Sequence, residues 1–260
     1  MRIVRFSAGN RTRFGKLEGN IIKGFRGNPF THFRHIAKAF PLDGNEYKLE
    51  EVKLLTPCLP SKIVCLGLNY RAHAEETKLP VPSVPLIFIK PTTSVIGHED
   101  TIILPRNARR VDYEGELGVV IGKKARDVPE ADARDYVLGY TCVNDVSDRY
   151  AQRDDGQWTR AKGYDTFAPI GPWMDTDIEP DNVKLETFLN GELKQSASAS
   201  DLIFGISKLI SFISGVMTLL PGDVIATGTP SGIGRMNSGD IVEIKIEGIG
   251  TLRNFVARQL

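Results

Sequence analysis

The chain has 260 residues, 41% hydrophobic and 25% charged, with 33 Lys plus Arg against 32 Asp plus Glu and a net charge of +1. That size buries a sizeable core, and the charge balance argues against nucleic acid or a membrane surface as partner, since both call for a basic excess. Cys58, Cys65 and Cys142 lack paired spacing, so a disulfide framework or zinc site is not expected; a reducing, cytoplasmic setting fits, with no signal peptide and no apolar run long enough to span a membrane.

Residues 1–55 read as a small N-terminal domain and 56–260 as the main one. Alternation over residues 3–8 predicts a first strand, and residues 14–22 predict two short strands around a Gly19-Asn20 turn. Residues 33–40 predict a short helix; His32 and His35 sit there three apart and read as surface polar positions, with no acid or cysteine placed to join them in a metal site. A Pro-punctuated stretch at 54–62 is the connector.

Residues 63–67 form a buried strand that opens, with Asn69 as a plausible cap, onto a helix carrying His73 and Glu76. Three apart, these two share a helix face. A carboxylate there orients an imidazole and raises its basicity; a surface ion pair has the same spacing. Residues 80–85 contain three prolines and form a loop, and strands follow at 86–91 and 101–105.

The run VDYEGELGVVIG at 111–122 is strand-like. Val111, Tyr113, Leu117, Val119 and Ile121 share one face, which is a core face. Asp112, Glu114 and Glu116 share the other, two residues and roughly 7 Å apart. Buried together they repel, and an oxygen-liking divalent ion would relieve all three at once. The alternative is a solvated acidic face. Residues 129–135 predict a short helix and 136–143 another strand, whose end carries Asn144 and Asp145. Asp145 is either a third carboxylate for the ion or the cap of a helix at 147–152. Lys162, set among glycine and aromatic residues, is either a site cation or a loop lysine.

Strand 183–189 enters an Asn190-Gly191 turn, a hairpin signal. Ile206, Leu209, Ile210, Ile213, Val216 and Met217 have the spacing of an amphipathic core helix. Residues 224–232 are a strand running into a glycine-rich loop without the lysine of a phosphate-binding loop. Two strands close the chain at 239–250 and 251–256. Strands outnumber helices and come in hairpins, so the expected class is α+β, mainly β.

Four of these runs resemble, in order, the blocks of the fumarylacetoacetate hydrolase family: YEGELGVVIG at 113–122, NDVSDR at 144–149, residues 158–169, and DVIATGTPSG at 223–232. The N-terminal unit resembles the extra α/β domain of many prokaryotic members. The resemblance implies mixed sheets rolled around a central metal site, and a homodimer. It implies Mg²⁺, or Mn²⁺, held by Glu114, Glu116 and Asp145, with Lys162 beside the metal. Arg149, Gln152 and Thr229 match substrate-contacting positions, and His73 with Glu76 matches a catalytic dyad on a lid. Asn69 stands where the mammalian enzyme has a further acid, and the short Asp145–Lys162 spacing looks like the smaller, acylpyruvate-type members.

The implied substrate is a small 2-oxo or 2,4-dioxo acid, chelated by the metal and reacting as an enolate. Hydrolysis of a C–C bond or decarboxylation, of acylpyruvate or oxaloacetate type, is the leading expectation. Isomerisation of a 5-carboxymethyl-2-hydroxymuconate or 2-hydroxyhepta-2,4-diene-1,7-dioate type acid in aromatic catabolism, or tautomerisation of oxaloacetate, uses the same enolate. A non-catalytic, ion-stabilised β-domain is the expectation of another class, opposed by Lys162, Arg149, His73 and Glu76.

Overall fold

The computed structural model describes residues 1–9, 11–31, 40–78 and 80–259. The helix expected at 33–40, with His32 and His35, lies outside the described residues apart from Phe40. Strands β1 (Arg2–Ala8), β2 (Arg11–Glu18), β3 (Ile21–Phe25) and β4 (Leu42–Lys48) form a meander, and β5 (Lys53–Leu55) pairs with β1. Then follow β6 (Ile63–Leu66), helix α1 (Arg71–Thr77), β7 (Ile87–Lys90), β8 (Val95–Ile96), β9 (Thr101–Leu104), β10 (Val111–Tyr113) and β11 (Gly115–Ile121). After these come β12 (Val137–Asn144), β13 (Ser147–Asp148), helices α2 (Arg149–Asp155) and α3 (Thr159–Lys162), and β14 (Ala168–Asp175). The hairpin of β15 (Lys184–Leu189) and β16 (Glu192–Ser198) leads to helix α4 (Ile206–Val216), β17 (Val224–Ala226), β18 (Gly234–Arg235), β19 (Ile241–Ile246) and β20 (Gly250–Arg258).

The fold is α+β and mainly β. Its largest sheet runs β4-β3-β2-β1-β14-β12-β11-β17-β6-β7, with β5 and β8 attached to β1 and β14. Strands β1 to β5 therefore share a sheet with the rest of the chain, through the β1–β14 pairing at Arg2 and Ile3. A second sheet runs β16-β15-β19-β20-β9, and a small third one β13-β10-β18.

Strand β11 is covered on both sides. Leu117, Val119 and Ile121 face the main core, with Val242, Ile244, Leu252 and Ile213 of α4, while Val120 faces a second core with Ile63, Cys65, Val143 and Val224. Two-sided burial makes this a central strand with a continuous apolar run, which excludes the solvated acidic face. The Asn190-Gly191 hairpin forms as its sequence predicts, both residues at positive φ (53° and 80°), as a primed turn requires.

The connector is locked by Asp223, a buried carboxylate. It accepts from the Ser61 amide (2.8 Å) and hydroxyl (2.7 Å), from the Leu220 amide (2.8 Å) and from Lys62 Nζ (2.5 Å). These bonds seat β6 beside β17, its parallel neighbour. Asp223→Ala would leave those donors unpaired; we expect it to lower unfolding free energy by about 3 kcal/mol, read as a shift in urea midpoint. A midpoint within error of wild type would contradict this role.

Candidate active site

The acid-bearing strand is not continuous. It breaks at Glu114, with β10 joining the small sheet and β11 the large one. The break is held from outside: the Glu114 amide donates to Asn144 Oδ1 (2.9 Å) and the Gly115 amide to Gln195 Oε1 (3.0 Å). Gly115 has no room for a side chain, because a Cβ there would lie 2.2 Å from Thr187 Oγ1.

The break separates the three acids expected on one face. Glu114, Glu116 and Asp145, all buried, come together with one oxygen from each within 4.8 Å of the others. Asp112 does not join them. It receives Arg110 through two bonds (2.8 and 3.0 Å) and Arg149 Nε (2.8 Å), so it serves the arginines. Asp145 arrives at the end of β12, its amide bonded to the Glu114 carbonyl (2.9 Å). Of its two readings, ligand and cap, the cap falls to Asp148, which accepts from the Tyr150 and Ala151 amides at the start of α2.

Cations surround two of the three acids. Lys162 Nζ lies 2.7 Å from Glu114 Oε2 and 2.6 Å from Asp145 Oδ2. Arg149 bridges Glu114 Oε1 (2.5 Å) and Asp112, and its other terminal nitrogen donates to Gln152 Oε1 (2.9 Å). Burial pushes the Glu114 carboxyl up, but Arg149 and Lys162 outweigh it and hold the group well below the usual carboxylate range. Lys162, which burial would pull down, is raised by Asp145 and Glu114.

Glu116 is different. Its Oε2 accepts from the Gly228 amide (2.8 Å), while its Oε1 is buried with no hydrogen-bond partner among the described residues. Burial, then the charges of Asp145 and Glu114, push this carboxyl well above its ordinary value. A buried acceptor without a donor, in a set of three hard oxygen ligands, is what a divalent cation satisfies. The 4.8 Å spread is comparable to the separation of ligands across an ion with oxygen distances of about 2.1 Å. The residues fit such an ion.

Helix α1 carries His73 and Glu76, and His73 Nδ1 lies 3.0 Å from Glu76 Oε2. His73 is buried and close enough to contribute to lowering the Glu114 carboxyl. The other Glu76 oxygen accepts from the Gly232 amide (3.0 Å), tying α1 to the glycine-rich loop. Asn69 does not cap α1. Its amide donates to the Thr227 and Phe204 carbonyls (2.7 and 3.1 Å), and Tyr70 is the capping position. The Thr229 hydroxyl donates to the Gly115 carbonyl (2.9 Å) and accepts from Gln195 Nε2 (2.8 Å), so it holds the peptide between the two glutamates.

Gln195 and Lys90 were not anticipated from the sequence. Lys90 had a signal: it is the one charged residue ending the apolar run LIFIK at 86–90. Gln195 had none, since its partners lie 34 to 80 residues away.

Comparison with known proteins agrees with this geometry. Residues 62–257 match the family described as fumarylacetoacetate (FAA) hydrolase C-terminal, and residues 1–57 match one described as Rv2993c-like, N-terminal. The chain belongs to the FAA hydrolase family. Among solved structures it resembles 5-carboxymethyl-2-hydroxymuconate delta-isomerase from Mycobacterium smegmatis, 45% identical with TM-score 0.92 over the whole of both chains. It also resembles maleylpyruvate hydrolase from Sphingobium sp. SYK-6 in complex with manganese(II) and pyruvate, 32% identical with TM-score 0.82, again over both whole chains. A 2,4-didehydro-3-deoxy-L-rhamnonate hydrolase from Sphingomonas sp. is 43% identical over 208 residues, 75% of this chain and 73% of that one. No helix among the described residues is long and apolar enough to cross a membrane.

Proposed function

We propose that this protein is a divalent-metal enzyme acting on 2-oxo or 2,4-dioxo acids by C–C bond hydrolysis or decarboxylation. Glu114, Glu116 and Asp145 would hold Mg²⁺, with Mn²⁺ accepted in its place. The observation that carries the proposal is the convergence of these buried carboxylates, with Glu116 Oε1 lacking a donor among the described residues. The relative bound to manganese and pyruvate, a metal with a 2-oxo acid, supports it. When bound, the ion would supply a Lewis acid for the substrate's carboxylate and 2-oxo oxygens.

The chain's own groups do the rest. Lys162, at the edge of the triad, offsets the negative charge of the substrate. Arg149 and Gln152, paired at the start of α2, receive its more distant polar groups, and Thr229 keeps the Glu114–Glu116 peptide in place. Glu76 takes the Nδ1–H of His73, which leaves Nε2 to accept a proton from water. Water then adds at the C4 carbonyl of a 2,4-dioxo acid. The C3–C4 bond breaks, and a proton returns to C3 to complete the pyruvate half.

A second reading, isomerisation of a hydroxymuconate-type acid, has support from the full-length similarity to the M. smegmatis isomerase. There His73 would move a proton between carbons instead of taking one from water. We further propose a cytoplasmic homodimer, the assembly that the family resemblance implies. The buried, unpaired Cys58, Cys65 and Cys142 support the reducing compartment, and light scattering reads the assembly state.

The test is a turnover screen over acylpyruvates, oxaloacetate and hydroxymuconate-type acids, with and without chelator. We expect turnover of at least one that stops when the metal is removed. In parallel, Mg²⁺ with oxalate, a mimic of the pyruvate enolate, should stabilise the fold by about 2.7 kcal/mol at 100 times Kd. Chelator-resistant turnover would refute the metal role. No turnover together with no joint stabilisation would leave an ion-free β-rich domain.

A further inference from the structure

We propose that Lys90 is a positioning residue of the metal site, which holds one oxygen of Asp145 so that the other alone faces Glu114 and Glu116. The inference rests on the metal reading above. Lys90 is the last residue of β7 and is fully buried. Its Nζ lies 2.5 Å from Asp145 Oδ1 and 3.0 Å from the Val146 carbonyl, its polar partners among the described residues.

Burying an ammonium is expensive, and a lysine stem at a strand end is long enough to reach water. Lys162 also pairs with Asp145, through Oδ2. The two lysines grip opposite oxygens of one carboxylate. Lys162 also reaches Glu114 and so belongs to the triad, whereas Lys90 reaches only Asp145 and the backbone next to it. With the Asp145 amide fixed on the Glu114 carbonyl (2.9 Å), the side-chain torsions are the remaining freedom, which Lys90 restrains through Oδ1 and Lys162 through Oδ2. Outer partners that orient a ligand in this way set metal affinity together with the ligands themselves.

The test uses the purified full chain, with Mn²⁺ as probe and binding measured by calorimetry and by the paramagnetic resonance of free Mn²⁺. Lys90→Met keeps the stem and removes charge and donors; Lys90→Gln keeps a polar end. We expect the Met variant to bind Mn²⁺ about 10- to 100-fold more weakly, and the Gln variant to lose less. A purely structural lysine would lower the melting temperature of the metal-free protein without changing Mn²⁺ affinity in the folded protein. A folded Met variant with wild-type affinity overturns the proposal. Should the Met variant fail to fold, the Gln variant decides: weaker binding supports the role and unchanged binding overturns it. Wild-type protein that takes up no Mn²⁺ would sink the metal reading and this inference together, whereas normal binding in both variants sinks only Lys90.

Discussion

Glu116→Gln is expected to raise the melting temperature of the metal-free protein while abolishing its stabilisation by divalent ions and its turnover. These opposite signs come from one carboxylate. Glu114 has Arg149 and Lys162, and Asp145 has Lys90 and Lys162; Glu116 has, among the described residues, no paired cation and one donor, the Gly228 amide. Its folded-state pKa is raised, by burial first and then by Asp145 and Glu114. Folding therefore favours the protonated form. Without metal, stability falls as pH rises from the ordinary carboxylate range through the raised value, and the full penalty applies above it. Glutamine removes that penalty at neutral pH. The melting temperature in chelator is therefore expected to rise. The same change removes a ligand, so metal affinity should fall by more than the ~10–100-fold typical of outer partners. Thermal melts in chelator and in Mn²⁺ read both effects. A melting temperature that does not rise in chelator would contradict the electrostatic account, and an intact Mn²⁺ shift would place the ion elsewhere.

The same acids show how far the sequence can be read. Period-two alternation brought Glu114 and Glu116 to one face, and the end of β12 marked Asp145, because short-range geometry governs both. Alternation failed for Asp112. The strand changes sheets at Glu114, under the pull of Asn144 and Gln195, 30 and 80 residues away in sequence. Local rules hold only while the backbone keeps one set of partners. Helix α4 and the β15–β16 hairpin were legible for the complementary reason: an apolar stripe and an Asn-Gly turn are local signals. Asn69 looked like a cap because it precedes a helix, but its amide is spent on Thr227 and Phe204, 158 and 135 residues distant. The sheet order, with β6 beside β17 and β1 beside β14, depends on pairings of that kind throughout. The family blocks hold Glu114, Glu116, Asp145 and Lys162, which the fold brings together; Gln195 emerges only from three-dimensional contacts.

His73→Ala is expected to lower kcat for C–C cleavage by about 10²–10⁴-fold, the usual contribution of a positioned general base, and to slow enol–keto exchange of the same acid much less. The difference follows from where the proton is. Cleavage needs water activated beside a C4 carbonyl, and water at neutral pH is a poor nucleophile without a base. Exchange at C3 moves a proton that the adjacent 2-oxo group already acidifies. His73, on α1, is buried, lies 3.0 Å from Glu76 through Nδ1, and contributes to lowering the Glu114 carboxyl, so it is not a surface residue. Glu76→Gln should fall between wild type and His73→Ala in cleavage, because an amide oxygen can still accept the Nδ1–H but carries no charge to favour the imidazolium. It also breaks the tie to the Gly232 amide, because Glu76 serves His73 and Gly232 with different oxygens and glutamine has one. Both assays run on one substrate: cleavage by loss of the dioxo-acid absorbance, exchange by deuterium incorporation at C3. Equal losses in the two assays would mean that His73 acts on the carbon proton in both, which is the proton transfer an isomerase requires. The ratio of the two losses therefore separates the hydrolytic reading from the isomerase reading within a single variant.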